Sequence, residues 1–126
     1  MRKLAVAVGL VAGLSVGAAA PKPAEVWSCW HSISGDKDGA SPIALERNGS
    51  VIKVRGSEFL EYTVLQDNEF GLVAARGYAQ NIDDAKELGA DVFVIDKKTR
   101  EIRMSNIVVK GARADDGPRR GTCELE

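Results

Sequence analysis

The chain has little of what catalysis draws on. Its 126 residues include one histidine, His31, and two cysteines, Cys29 and Cys123. There is no nucleophile elbow, no glycine-rich phosphate loop and no pair of histidines at zinc-binding spacing. A lone histidine lacks the oriented partners that a general base needs. The carboxylate pairs Asp83-Asp84 and Asp115-Asp116 are sequence neighbours, and neighbours in a strand point to opposite sides. At the start of a helix, acids serve the helix dipole instead. Glycosidase-type chemistry therefore has no support. Calcium fares no better. The stretch Ser34-Gly35-Asp36-Lys37-Asp38-Gly39 partly imitates an EF-hand loop, but aligning Gly39 with the required glycine puts Ser34 at position 1 and Leu45 at position 12. No catalytic residue, metal or cofactor is assigned.

What is present begins at the amino terminus. Arg2 and Lys3 precede an uncharged apolar run from Leu4 to Gly17, and the small residues Ala18, Ala19 and Ala20 follow. This order is that of a secretory signal peptide, with an apolar core too short to span a bilayer comfortably. Residues 1–19 are read as the signal, cut after Ala18 or Ala19 because Pro21 disfavours a later bond. Residues 20–25 form a lead-in, and residues 26–126 a single β domain. Cys29 lies well past the junction, so no lipid anchor is expected. Loss of Arg2 and Lys3 leaves fifteen basic residues against eighteen acidic ones, a net charge of about −3. That balance points away from nucleic acid and anionic membranes. A periplasmic or secreted protein is expected, in contact with a membrane only during export, and monomeric.

Two cysteines in an oxidising compartment read as one bridge, Cys29 to Cys123. Closing a loop of this length contributes on the order of 4 kcal/mol in the chain-entropy model. It also sets the topology. The Cα atoms of a disulfide lie roughly 5–6 Å apart, so the first and last strands must be neighbours and the sheet must wrap.

Along the domain, the pattern is a series of short strands. Residues 26–33 form the first, with Trp27, Cys29, His31 and Ile33 on one side. Asn48-Gly49 is read as a type I′ turn joining 43–47 to 50–54, which sets Leu45 opposite Ile52 and Ile43 opposite Val54. Residues 59–66 place Leu60, Tyr62 and Val64 on one face, and residues 70–75 continue toward Tyr78. A short helix is predicted next, with Asn81 as N-cap, Ile82, Ala85 and Leu88 on one side, and Gly89 as stop. Residues 91–96 and 101–109 form a hairpin across Lys97-Lys98-Thr99-Arg100, pairing Ile95 with Ile102 and Phe93 with Met104. A polar loop over residues 111–120 leads to a closing strand over 121–125. The fold class is all-β: an antiparallel meander forming a small barrel or strongly curved sheet, with one short helix, closed by the disulfide.

Candidate binding residues are few. Trp27 and Trp30 project to opposite faces of the first strand, one toward the core and one toward a groove, barrel end or partner. Arg113, Asp115, Asp116, Arg119 and Arg120 belong to the polar loop, whose charge, glycine and proline suit recognition from a rigid scaffold. Asn48-Gly49-Ser50 also matches a glycosylation sequon, which the hairpin explains without glycan.

Three stretches carry a resemblance: residues 62–75 (Tyr-Thr-Val-Leu-Gln-Asp-Asn-Glu-Phe-Gly-Leu-Val-Ala-Ala), residues 94–103 (Val-Ile-Asp-Lys-Lys-Thr-Arg-Glu-Ile-Arg) and Gly-Thr-Cys ending at Cys123. Together they resemble small exported bacterial β proteins of unassigned function. In such proteins the second hairpin usually reads Lys-Thr-Gly, and Arg100 stands in the glycine's place. The resemblance implies an envelope location and carries over no catalytic residue. The leading functional expectation is non-catalytic binding of an envelope protein, in its specific form inhibition of a cell-wall hydrolase. The alternative is a carrier of a small apolar ligand inside a barrel, and an enzyme comes third.

Overall fold

The computed structural model describes residues 23–82, 85–110 and 117–126. Eight antiparallel strands in chain order close into a barrel. They are β1 (Glu25–Ser32), β2 (Ser41–Asn48), β3 (Val51–Val54), β4 (Glu61–Asp67), β5 (Gly71–Ile82), β6 (Ala85–Asp96), β7 (Glu101–Lys110) and β8 (Arg119–Leu125). β1 pairs with β8, and Cys29 stands directly opposite Cys123 in that seam. Their sulfurs are bonded, with the Cα atoms 4.0 Å apart. The wrap inferred from the cysteine positions is thus complete closure.

Alternation explains the core. Trp27, Cys29, Leu45, Ile52, Tyr62, Leu72, Ala74, Phe93, Ile95, Ile102 and Cys123 all point inward and are buried. Phe93 meets Tyr62 edge to face, with ring centroids 5.0 Å apart. The barrel is therefore filled by side chains over most of its length. At Gly121 even a methyl group has no room, since a Cβ there would lie 1.6 Å from the Trp30 carbonyl oxygen. The residue allows β8 to close against β1.

The β6–β7 hairpin has the register expected, with Ile95 opposite Ile102 and Phe93 opposite Met104. The Asp96 carboxylate accepts from the Lys98 and Thr99 amides at 2.8 and 3.0 Å, and Arg100 closes the turn at φ +69°. That is the left-handed conformation for which glycine is favoured.

Four expectations are corrected. The β2–β3 turn is centred on Gly49-Ser50, with Asn48 opposite Val51 and Leu45 opposite Val54. Positive φ falls on Gly49 alone, which suits a type II′ turn rather than type I′. The shift is two residues, so the inward face is unchanged. The short helix is replaced by strand: Asn81 pairs with Lys86, Gln80 with Glu87, Ala79 with Leu88 and Tyr78 with Gly89. Ladder bonds across twelve residue pairs outweigh a local capping signal; Asp83 and Asp84 themselves lie outside the described residues. Ile33 falls beyond β1 and is exposed rather than aligned with Trp27. Finally, Arg119 and Arg120 belong to β8, not to a loop.

Candidate functional site

The two ends of the barrel differ. The capped end gathers the start of β1, the β2–β3, β4–β5 and β6–β7 turns, and the end of β8. There Trp27 Nε1 donates to Glu25 Oε1 at 2.7 Å. Arg47 lies 3.8 Å from Glu25 and also bonds Asp67, which accepts in addition from Lys97. The hydrogen bonds from Lys97 and Arg47 hold the Asp67 carboxyl below its ordinary range. The Arg100 guanidinium stands 5.3 Å from the Trp27 ring centroid, and its buried Nη1 has the ring face rather than a hydrogen-bond acceptor beside it. Charges and an indole close this mouth.

At the opposite end the inward series changes character. In β5 the apolar Leu72 and Ala74 give way to Arg76 and then Tyr78. Arg76 is cross-strand partner to Asp91 of β6, and its Nε donates to Asp91 Oδ2 at 2.9 Å. Arg76 also stacks 5.1 Å from the Tyr78 ring centroid. Across the barrel, Arg119 Nε donates to His31 Nδ1 at 2.9 Å. Burial and then the Arg119 guanidinium hold the His31 imidazole below its ordinary value, so it stays neutral and accepts this bond.

Between these pairs lies a cavity of about 270 Å³, walled by Leu60, Tyr62 and Met104 and bordered by Asp91, Asn106 and Arg119. It forms where β7 and β8 part company, since their pairing runs only from Glu101 opposite Thr122 to Met104 opposite Arg119. The β3–β4 turn borders the same end, with Phe59 exposed. So does the β1–β2 turn, where Ser32 Oγ accepts from the Gly35 amide and donates to the Asp36 carbonyl.

The expected residues separate accordingly. Trp27 fills the core beside the disulfide at the capped end, while Trp30 points outward, half-buried, between Pro42 and Thr122. Arg119 is drawn into the cavity. Arg120 faces outward and donates from Nη2 to the Ser34 carbonyl at 3.2 Å, so it pins the β1–β2 turn. Arg113, Asp115 and Asp116 lie outside the described residues. Sequence reasoning passed over Arg76, Asp91, Met104 and Asn106. The signal was an inward-phase arginine in β5, which a pairing register would have placed opposite Asp91.

Among the described residues no group of three or more His, Cys, Asp or Glu side chains is placed to hold a metal. Comparison with known proteins gives no match: no family model, curated protein or solved structure aligns with this chain.

Proposed function

We propose that this is an exported, non-catalytic binding protein of the bacterial envelope, which receives its partner at the cavity end. The observation that carries this reading is the inequality of the two ends. The capped end has its inward charges Glu25, Arg47, Asp67 and Lys97 engaged with one another, whereas the cavity end offers a space lined by the Arg119 cation. The disulfide fits an oxidising compartment, and the signal-like residues 1–19 supply the route out of the cytoplasm. In its most specific form the partner is a cell-wall hydrolase, with the segment containing Arg113, Asp115 and Asp116 entering the enzyme's cleft. The carrier reading is weaker because the interior is already packed. The cavity beside Tyr62 and Met104 lies at one end, is at the small limit for a ligand pocket and is bordered by charges.

Site-specific photocrosslinking in cells tests the assignment. A photoreactive residue at position 59, on the cavity end, should yield a discrete protein adduct, and one at position 98, on the capped end, should not. Adducts from position 98 alone would reverse the assignment. A cell-wall lysis assay with the purified protein tests the hydrolase form, which predicts slower lysis.

A further inference from the structure

We infer that the cavity is a carboxylate-binding site, with Arg119 as the anchoring cation and an apolar body of the ligand lying against Leu60 and Met104. This deepens the binding reading above and rests on it. The argument starts from charge. Six ion pairs join the described residues, and none includes Arg119. Yet Arg119 is only partly exposed and lines the cavity. Asp91 shares the lining, but its carboxylate is taken by Arg76 at 2.9 Å. His31 is held neutral. Among the described residues, the sum of Arg76, Asp91, His31 and Arg119 is one net positive charge in a partly desolvated space, where an ion pair is stronger than in bulk water.

Geometry narrows the ligand. His31 engages Arg119 through Nε, which orients the guanidinium and leaves the Nη1 and Nη2 edge for the incoming group. That planar edge matches the two oxygens of a carboxylate. A single cation suits a monoanion better than a phosphate dianion. An amine or zwitterion gains nothing from Asp91, because Arg76 already neutralises it. The walls of Leu60, Tyr62 and Met104 favour an acid that carries an aromatic or branched apolar portion over acetate. A carboxylate of this kind comes either from a free small acid or from the terminus of a partner polypeptide.

The test is an NMR titration of the mature, disulfide-bonded protein with benzoate, benzamide and inorganic phosphate. Benzoate should shift the Met104 methyl and Leu60 methyl signals saturably, and benzamide and phosphate should not. Arg119→Met should weaken benzoate binding by about tenfold to a hundredfold, the range for a hydrogen-bonded charge, and Arg119→Lys by less. A second variant, Asn106→Trp, fills the cavity while leaving Arg119 in place, and it should also block benzoate. Two further probes separate the sources: a short peptide ending in a free phenylalanine carboxylate, and its amide. Tighter binding of the free-ended peptide than of benzoate assigns the site to a polypeptide terminus; the reverse order assigns it to a free acid. Absence of benzoate shifts, equal shifts from benzamide, displacement by phosphate at lower concentration, or full binding to folded Arg119→Met would each overturn the proposal. Failure here is separable from failure of the wider reading. Crosslinking from position 59 that survives in Arg119→Met, together with loss of benzoate binding, keeps the site and removes it from partner recognition.

Discussion

The capped end and the cavity end are built from the same eight strands, but they use inward charge differently. Around Trp27, the inward-facing Arg47 and Arg100 are absorbed locally, Arg47 by Glu25 and Asp67 and Arg100 by an aromatic face. Around Met104, Arg76 and Asp91 cancel while, among the described residues, Arg119 meets a neutral imidazole and no carboxylate. The first arrangement shields the core. The second stabilises the barrel less, because among the described residues Arg119 has no carboxylate partner to offset its desolvation. An inward cation held at that cost is a sign of use, whereas an inward cation fully engaged is a sign of closure.

The comparison predicts where stability resides. The largest effect belongs to Trp27→Ala, which should cost about 3–5 kcal/mol in urea unfolding and leave benzoate binding to the folded fraction unchanged. Replacing Cys29 and Cys123 together by Ser should cost roughly 2–5 kcal/mol, and the oxidised parent should show no free thiol when labelled in denaturant. A subtler pair concerns Arg100. Arg100→Ala keeps the left-handed backbone without the cover over Trp27, while Arg100→Gly loses the cover but relieves the backbone. The Gly variant should therefore be more stable than the Ala variant by about 1 kcal/mol. Arg119→Met should be the mildest, within about 0.5 kcal/mol of the parent, which separates it from every capped-end change.

His31 adds a dependence on pH. Its folded value lies below its ordinary 6.5, so between those two values the unfolded chain binds more protons than the folded one. Stability must then rise as pH increases through that interval, and the contribution of His31 levels off on either side of it. His31→Gln should flatten this slope, as measured by urea midpoints across the interval. An unchanged slope would place the titration elsewhere.

Much of the fold was legible because several signals agreed. The β6–β7 hairpin was readable from a four-residue loop whose length, Asp96 and flanking Ile95 and Ile102 all require one register. In the β2–β3 hairpin the Asn-Gly pair outweighed the adjacent Gly-Ser, and the register slipped by two without changing faces. The predicted helix failed for a different reason. Asn81 and its neighbouring acids are local signals, whereas the competing stabilisation comes from the whole β5–β6 ladder, which runs through twelve residue pairs from Gly71 opposite Asp96 to Ile82 opposite Ala85. The site was less legible still. Arg119 and Arg120 look alike in sequence, but a period of two sends one into the cavity and the other to the Ser34 carbonyl. Their separation requires knowing where β8 begins.

The seam between β1 and β8 has a practical consequence for how the molecule is held. Glu25 and Leu125 both lie at the capped end, so a tag, a fusion partner or a surface linker joined next to either residue leaves from that side. Attachment at both sides at once would cross no part of the opposite mouth. A molecule immobilised through either strand end is thereby oriented, with the Arg119 side facing solution, and a sensor chip prepared in this way presents every copy in the same sense.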